Sequence, residues 1–232
     1  EASVAKTAAG KAARGGAAAQ PAKPLSTAKQ PSSRRNRLPR ILVLHGMASG
    51  KSIFSTQCMK LFSQAKEKVE FVILEGQKSC NSVEAVETMS QFFQGKPMMM
   101  YDETLFDEWG WRRYRNVRET LLWLQLQLKN RGPFDGVLGF SQGANFAAML
   151  AAQSAAGVGK PLSFVVLLCP NAPGYVSQLP DLFAAPLAVP ALIVRGKLEA
   201  YDDGVKKTLQ GRAVETLGKA HVSEHAAELF RD

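Results

Sequence analysis

The chain has 232 residues, 46% of them hydrophobic and 21% charged, which suffices for one α/β domain with a buried core plus an extension. Its formal net charge of +9 sits at one end: residues 1–40 hold nine Lys or Arg against one acid, Glu1, and the remainder is almost neutral. A basic nucleic-acid-binding face on the domain itself is therefore not expected, and no run of about 18 apolar residues suggests a membrane span.

Residues 1–39 form a basic extension rich in Ala, Lys, Pro and Ser, with little apolar material beyond Val4 and Leu25. Such a composition cannot build a core. It resembles an organellar transit sequence, mitochondrial more readily than plastid. It also suits docking, either along rRNA phosphates through salt-sensitive contacts or along the acidic surface of a large organellar complex. Residues 40–232 are expected to form the domain.

From residue 41 short apolar runs alternate with amphipathic stretches. Strands are expected at 41–45, 69–74, 135–140, 164–169, 190–195 and 212–217. Helices are expected at 52–67, 112–130, 142–156, 203–210 and 221–230. The apolar runs are continuous rather than alternating, as in parallel strands covered on both faces, so the fold class is a doubly wound, mainly parallel α/β sheet.

The first strand runs into Leu44-His45-Gly46-Met47-Ala48-Ser49-Gly50-Lys51-Ser52, which invites two readings. A phosphate-binding loop needs four residues between its glycines, but Gly46 and Gly50 have three between them, and the required glycine position holds His45. The other reading is the oxyanion loop of a hydrolase, with Ser52 capping the helix that follows. Gly139-Phe140-Ser141-Gln142-Gly143 decides between them. It is a GxSxG motif between an apolar strand and an Ala-rich helix, the setting of a nucleophile elbow. The amides of Gln142 and Met47 are then the expected oxyanion donors.

Cys58, Cys80 and Cys169 share no metal or disulfide spacing and are expected to be buried reduced thiols. His45, His221 and His225 form no HExxH motif. On a helix His221 and His225 would share a face, but no third ligand is evident, so no metal is expected.

The segments ILVLHGMASGKSIF, VEFVILEG, EWGWRRY and above all GPFDGVLGFSQGANFAAMLAA resemble the FSH1-type serine hydrolase family, relatives of ovarian-cancer-associated protein 2, over roughly residues 40–225. The resemblance implies a single α/β-hydrolase domain that cleaves small-molecule carboxylic esters or thioesters through a Ser–acid–His triad, without cofactor. Carried over by position, the nucleophile is Ser141. The acid is Glu199, where the family has Asp, with Asp202 as the alternative. The base is His221, in a Gly-Lys-Ala-His turn where the family has two glycines before the histidine. Met98, Met99, Met100, Phe106, Trp109 and Trp111 fall where the family places a segment beside the pocket. A different class of function, a catalytically weakened hydrolase fold serving as an accessory subunit of a ribosome or respiratory complex, would follow from these departures together with the basic extension.

Overall fold

The computed structural model describes residues 37–171, 173–184, 187–194 and the backbone of 221–222. In chain order its elements are β1 (Arg40–Leu44), α1 (Lys51–Gln57), α2 (Met59–Ala65), β2 (Glu70–Leu74), β3 (Lys78–Ser79), α3 (Val83–Ser90), β4 (Met99–Met100), β5 (Thr104–Phe106), β6 (Arg112–Tyr114), α4 (Val117–Arg131), β7 (Gly136–Phe140), α5 (Gln142–Ala155) and β8 (Phe164–Leu168). Two short 3₁₀ turns, Gly174–Gln178 and Pro180–Phe183, precede β9 (Ala191–Val194) and β10 (His221–Val222).

Six strands form one sheet in the order β10-β9-β8-β7-β1-β2, and every pairing is parallel. Ile41 to Leu44 of β1 are at most 6% exposed, because both faces of the sheet are covered. On one face α4 and α5 join Leu42, Leu44, Val137 and Val165 in a common core; on the other, Phe54 and Phe62 pack with Val43, Leu138 and Phe140. Helix α5 lies close to the sheet since its buried face is small: Ala144, Ala147, Ala148 and Ala151 have essentially no exposed surface.

The chain passes from β1 to β2 on one flank and then returns to β1's other flank, where β7, β8 and β9 follow. The strand order thus reverses between β1 and β7. In open parallel sheets the crevice beyond the carboxyl ends of such strands is where ligands bind.

Several elements differ from expectation. The helix expected at 52–67 is broken at Cys58 into α1 and α2. The helix expected from 112 starts at Val117, because Arg112–Tyr114 pair with β5 instead. Residues 221–222 are a strand on β9 rather than the start of a helix. The strand expected at 212–217 and the helix at 203–210 lie outside the described residues, as does the extension up to residue 36. Of the three free cysteines Cys58 alone is fully buried, with its thiol pushed up to about 11 by burial; Cys80 and Cys169 are half-buried. Among the described residues no helix is long and apolar enough to cross a membrane.

Candidate active site

Ser141 occupies the turn between β7 and α5 at φ 51°, a left-handed conformation that costs a non-glycine residue of order 1–3 kcal/mol. The turn is held by its surroundings. The Ser141 amide donates to Leu168 O at 2.9 Å, and its carbonyl accepts from the Ala144 and Asn145 amides. A Cβ on Gly139 would collide with the Gly143 carbonyl, and one on Gly143 would collide with the carbonyls of Leu44 and His45. Glycine at both positions therefore lets α5 start directly against the end of β1. Ala48 (φ 52°) and Cys169 (φ 49°) are the other non-glycine residues at positive φ among those described, and they follow β1 and β8. All three strained residues thus lie at the carboxyl edge of the sheet.

The loop after β1 comes to Ser141 from the neighbouring strand. Leu44 pairs with Gly139, so Gly46 falls beside Ser141, and a Cβ placed on Gly46 would lie 3.5 Å from Ser141 Cβ. His45 fixes this loop. Its ring is fully buried, with Nδ1 2.7 Å from Gly46 O, and Nε2 accepts from the Gly76 amide at 2.8 Å. With Nε2 accepting, Nδ1 carries the proton and donates to Gly46 O. Burial holds the imidazole pKa below its usual value, which keeps this neutral form. The Gly46–Met47 peptide is trans, so anchoring the Gly46 carbonyl on His45 turns the Met47 N–H away from that ring. The His45 amide in turn donates to Tyr101 Oη, which donates to Leu74 O, tying together the exits of β1 and β2. Neither the Met47 nor the Gln142 amide has an acceptor among the described residues.

The end of the LHGMASGKS stretch is occupied by the protein itself. Both carboxylate oxygens of Glu75 accept from the Lys51 amide at the start of α1, and a Cβ on Gly50 would lie 2.6 Å from one of them. An anion there would meet a carboxylate, so no phosphate cradle exists at this position. Ser52 lies inside α1 and is not its cap; Gly50 holds that place.

Gln142 does more than the motif foretold. Its side chain is 2% exposed; Oε1 accepts from the Tyr101 amide, and Nε2 donates to Asp102 O (2.8 Å) and Thr104 Oγ1 (3.0 Å). It thereby fastens the β5–β6 hairpin to the elbow. Asp102, fully buried, strengthens the root: it pairs with Lys78 Nζ and accepts from the Glu103 and Asn116 amides. On the other side Gln178 grips both backbone groups of Tyr114. The facing pair at the hairpin root, Thr104 and Tyr114, is thus held by one glutamine each.

The hairpin separates two grooves. One, of about 430 Å³, is lined by Met47, Met89, Thr104, Phe106 and Arg112, among others. The second, of about 400 Å³, lies by Trp109, Trp111, Arg113, Pro173 and Gly174. Asn171, two residues before Pro173, sets its Nδ2 3.4 Å from Ser141 Oγ, and its amide donates to Asn145 Oδ1 at 3.1 Å. Of the segment expected beside the pocket, Phe106 enters the first groove and the two tryptophans the second, while Met100 is core at 3% exposure.

Ser141, Met47 and Gln142 are therefore brought together. The backbone of His221 pairs with Leu192 on β9, at the outer edge of the sheet, and its side chain is outside the description. Glu199 and Asp202 lie outside the described residues.

A parallel sheet with a strained serine at the reversal of strand order defines an α/β-hydrolase. The chain belongs to the serine hydrolase (FSH1) family, whose model matches residues 35–228. It is 31% identical to the esterase AlnB of Emericella nidulans over 110 residues, 47% of this chain and 35% of that protein. It is 39% identical to the human esterase OVCA2 over 87 residues, 35% of this chain and 37% of that protein. The chain thus spans little more than a third of the length of either relative. The crystal structure of a singly substituted variant of Arabidopsis thaliana SOBER1 shares the fold at TM-score 0.52 and 16% identity, covering 81% of this chain and 88% of that one.

Proposed function

We propose that this serine hydrolase cleaves carboxylic esters or thioesters of small molecules by covalent catalysis. Ser141 Oγ attacks the carbonyl carbon, the carbonyl electron pair moves onto oxygen, and the Met47 and Gln142 amides receive that oxyanion. Expulsion of the alcohol or thiol leaves an acyl-Ser141 ester, which water then hydrolyses. His221 takes the serine proton and returns it to the leaving group, oriented by Glu199 or Asp202. The observation that carries the reading is the conjunction at the crevice: a serine held at φ 51° beside two backbone amides without acceptors among the described residues. Two such donors are worth roughly 3 kcal/mol each of barrier where they have been removed singly.

A fluorophosphonate probe tests it directly. Labelling at Ser141, lost in Ser141→Ala together with turnover of p-nitrophenyl esters, is the expected result. Unfolding free energy should stay within about 1 kcal/mol, since the alanine loses little packing. An unlabelled native protein, or equal turnover by the variant, would refute the assignment.

A second reading attaches to residues 1–39, whose concentrated positive charge suits docking on an organellar complex or rRNA. It is compatible with hydrolysis and is tested separately below.

A further inference from the structure

The groove on the Met47 side of the hairpin contains a charge that ester hydrolysis alone does not require. Two links tie the groove to the Ser141 turn: Met47 follows Gly46, and Thr104 is bonded to the side chain of Gln142, the residue after Ser141. Met47, Met89 and Phe106 give it apolar walls, and its volume of about 430 Å³ falls in the range of small-molecule sites. At its margin the Arg112 guanidinium lies over the Phe106 ring, 5.1 Å from the centroid. Arg112 is half-buried, yet it forms no ion pair among the described residues, whereas Arg40, Lys78 and Arg115 each hold a carboxylate. Glu84, on the α3 wall of the same groove, is exposed and not paired with it. A guanidinium held over an aromatic ring without a carboxylate partner keeps N–H donors for an oxyanion, and a carboxylate is the bidentate match.

We propose that Arg112 makes this a site for substrates that carry a carboxylate away from the bond being cleaved, such as monoesters or monothioesters of short dicarboxylic acids. This rests on the ester or thioester reading given above. The apolar walls take the intervening chain, and the Arg112 guanidinium takes its anionic end.

The test compares kcat/KM of the full chain for three esters. Phenyl butyrate is neutral, phenyl hydrogen glutarate has its carboxylate on the acyl chain, and 4-butyryloxybenzoate has it on the leaving group. The ratio of one charged ester to the neutral one should fall roughly tenfold in Arg112→Gln, the scale of one charge-assisted hydrogen bond, and further in Arg112→Glu. Which charged ester responds identifies the part of the substrate that lies in the groove. Ratios unchanged in both variants overturn the proposal. If the native chain cleaves none of the three, the reaction reading fails by itself, and binding decides the rest. Calorimetric titration of Ser141→Ala with glutaric acid monoanilide should then give a signal that the added Arg112→Gln removes. No binding, or equal binding by the double variant, overturns the proposal.

Discussion

In the proposed reaction His45 would act without touching substrate, by fixing the loop that carries the Met47 amide. Replacing it by alanine leaves Gly46 O and the Gly76 amide unpaired, each inside the protein. Two unsatisfied buried groups cost about 3 kcal/mol together. The expected result for His45→Ala is that loss in denaturant unfolding, together with a fall in kcat larger than the change in KM, because the Met47 amide loses its aim. The same ring predicts a pH effect. Its folded pKa is lowered by burial, so on acidification the unfolded chain takes up a proton that the folded one resists. Stability is then complete above about pH 6.5, the unfolded imidazole value, and declines as the pH falls below it. Urea midpoints between pH 5 and 7.5 should slope in the native chain in that sense and more weakly in His45→Gln.

At the level of elements, the β5–β6 hairpin is positioned by side chains from far along the chain. Gln142→Ala removes one acceptor and two donated bonds at once and leaves the Tyr101 amide and Asp102 O without partners. A loss of about 3 kcal/mol is expected, with a rise in KM as the wall of the Met47 groove loosens. Gln142→Glu keeps the acceptor for the Tyr101 amide but sets a carboxylate oxygen against Asp102 O. It should be at least as unstable as Gln142→Ala; a stable Gln142→Glu variant would show that the clasp is dispensable.

This long-range dependence explains what could be read beforehand. The core strands were legible because Ile41 to Leu44, Val137 and Leu138, and Phe164 to Leu168 are apolar runs that state their burial locally. Ser141 and its glycines were legible because the turn's sterics admit few residues. Strands β3 to β6 were not, since two or three residues carry no period; they exist through Gln142, Asp102 and Gln178. Arg112–Tyr114 looked helical because no breaker separates them from α4, and cross-strand pairing with Thr104–Phe106 outweighs that local preference. Helix α3 escaped notice because its eight residues include none that is buried, though Ser82 caps it through the Ala85 amide.

For the whole molecule, the excess charge and the Ser141 turn belong to different parts of the chain. Residues 1–36 hold seven basic groups and one acid, and the strand that starts the core begins at Arg40. Deleting 1–36 should leave urea midpoints and ester turnover unchanged. If the extension docks on an organellar complex or rRNA, the deletion should abolish co-sedimentation with organellar ribosomes or respiratory complexes, and the intact chain should dissociate steeply as salt rises. Intact protein that migrates as a free monomer at low salt would end that reading.

The two glutamine clasps reach only the root of the hairpin, the Thr104–Tyr114 pair. Beyond Phe106 the turn rests on Asp107, whose carboxylate accepts from the Trp109 and Trp111 amides; Trp109 is 72% exposed, and Gly110 takes φ 73°, which favours glycine there. Mutational tolerance should therefore be divided within eleven residues, Thr104 to Tyr114. Changes at the root disturb the Ser141 turn, while substitutions at the tip reshape the rim of the groove beside Trp109, Trp111 and Arg113 and leave the elbow intact. On the proposed reaction such a chain can drift in what it accepts while keeping how it reacts, and a directed library aimed at new substrates belongs at Glu108 and Trp109, between the Asp107 carboxylate that holds the turn and Gly110 at φ 73°.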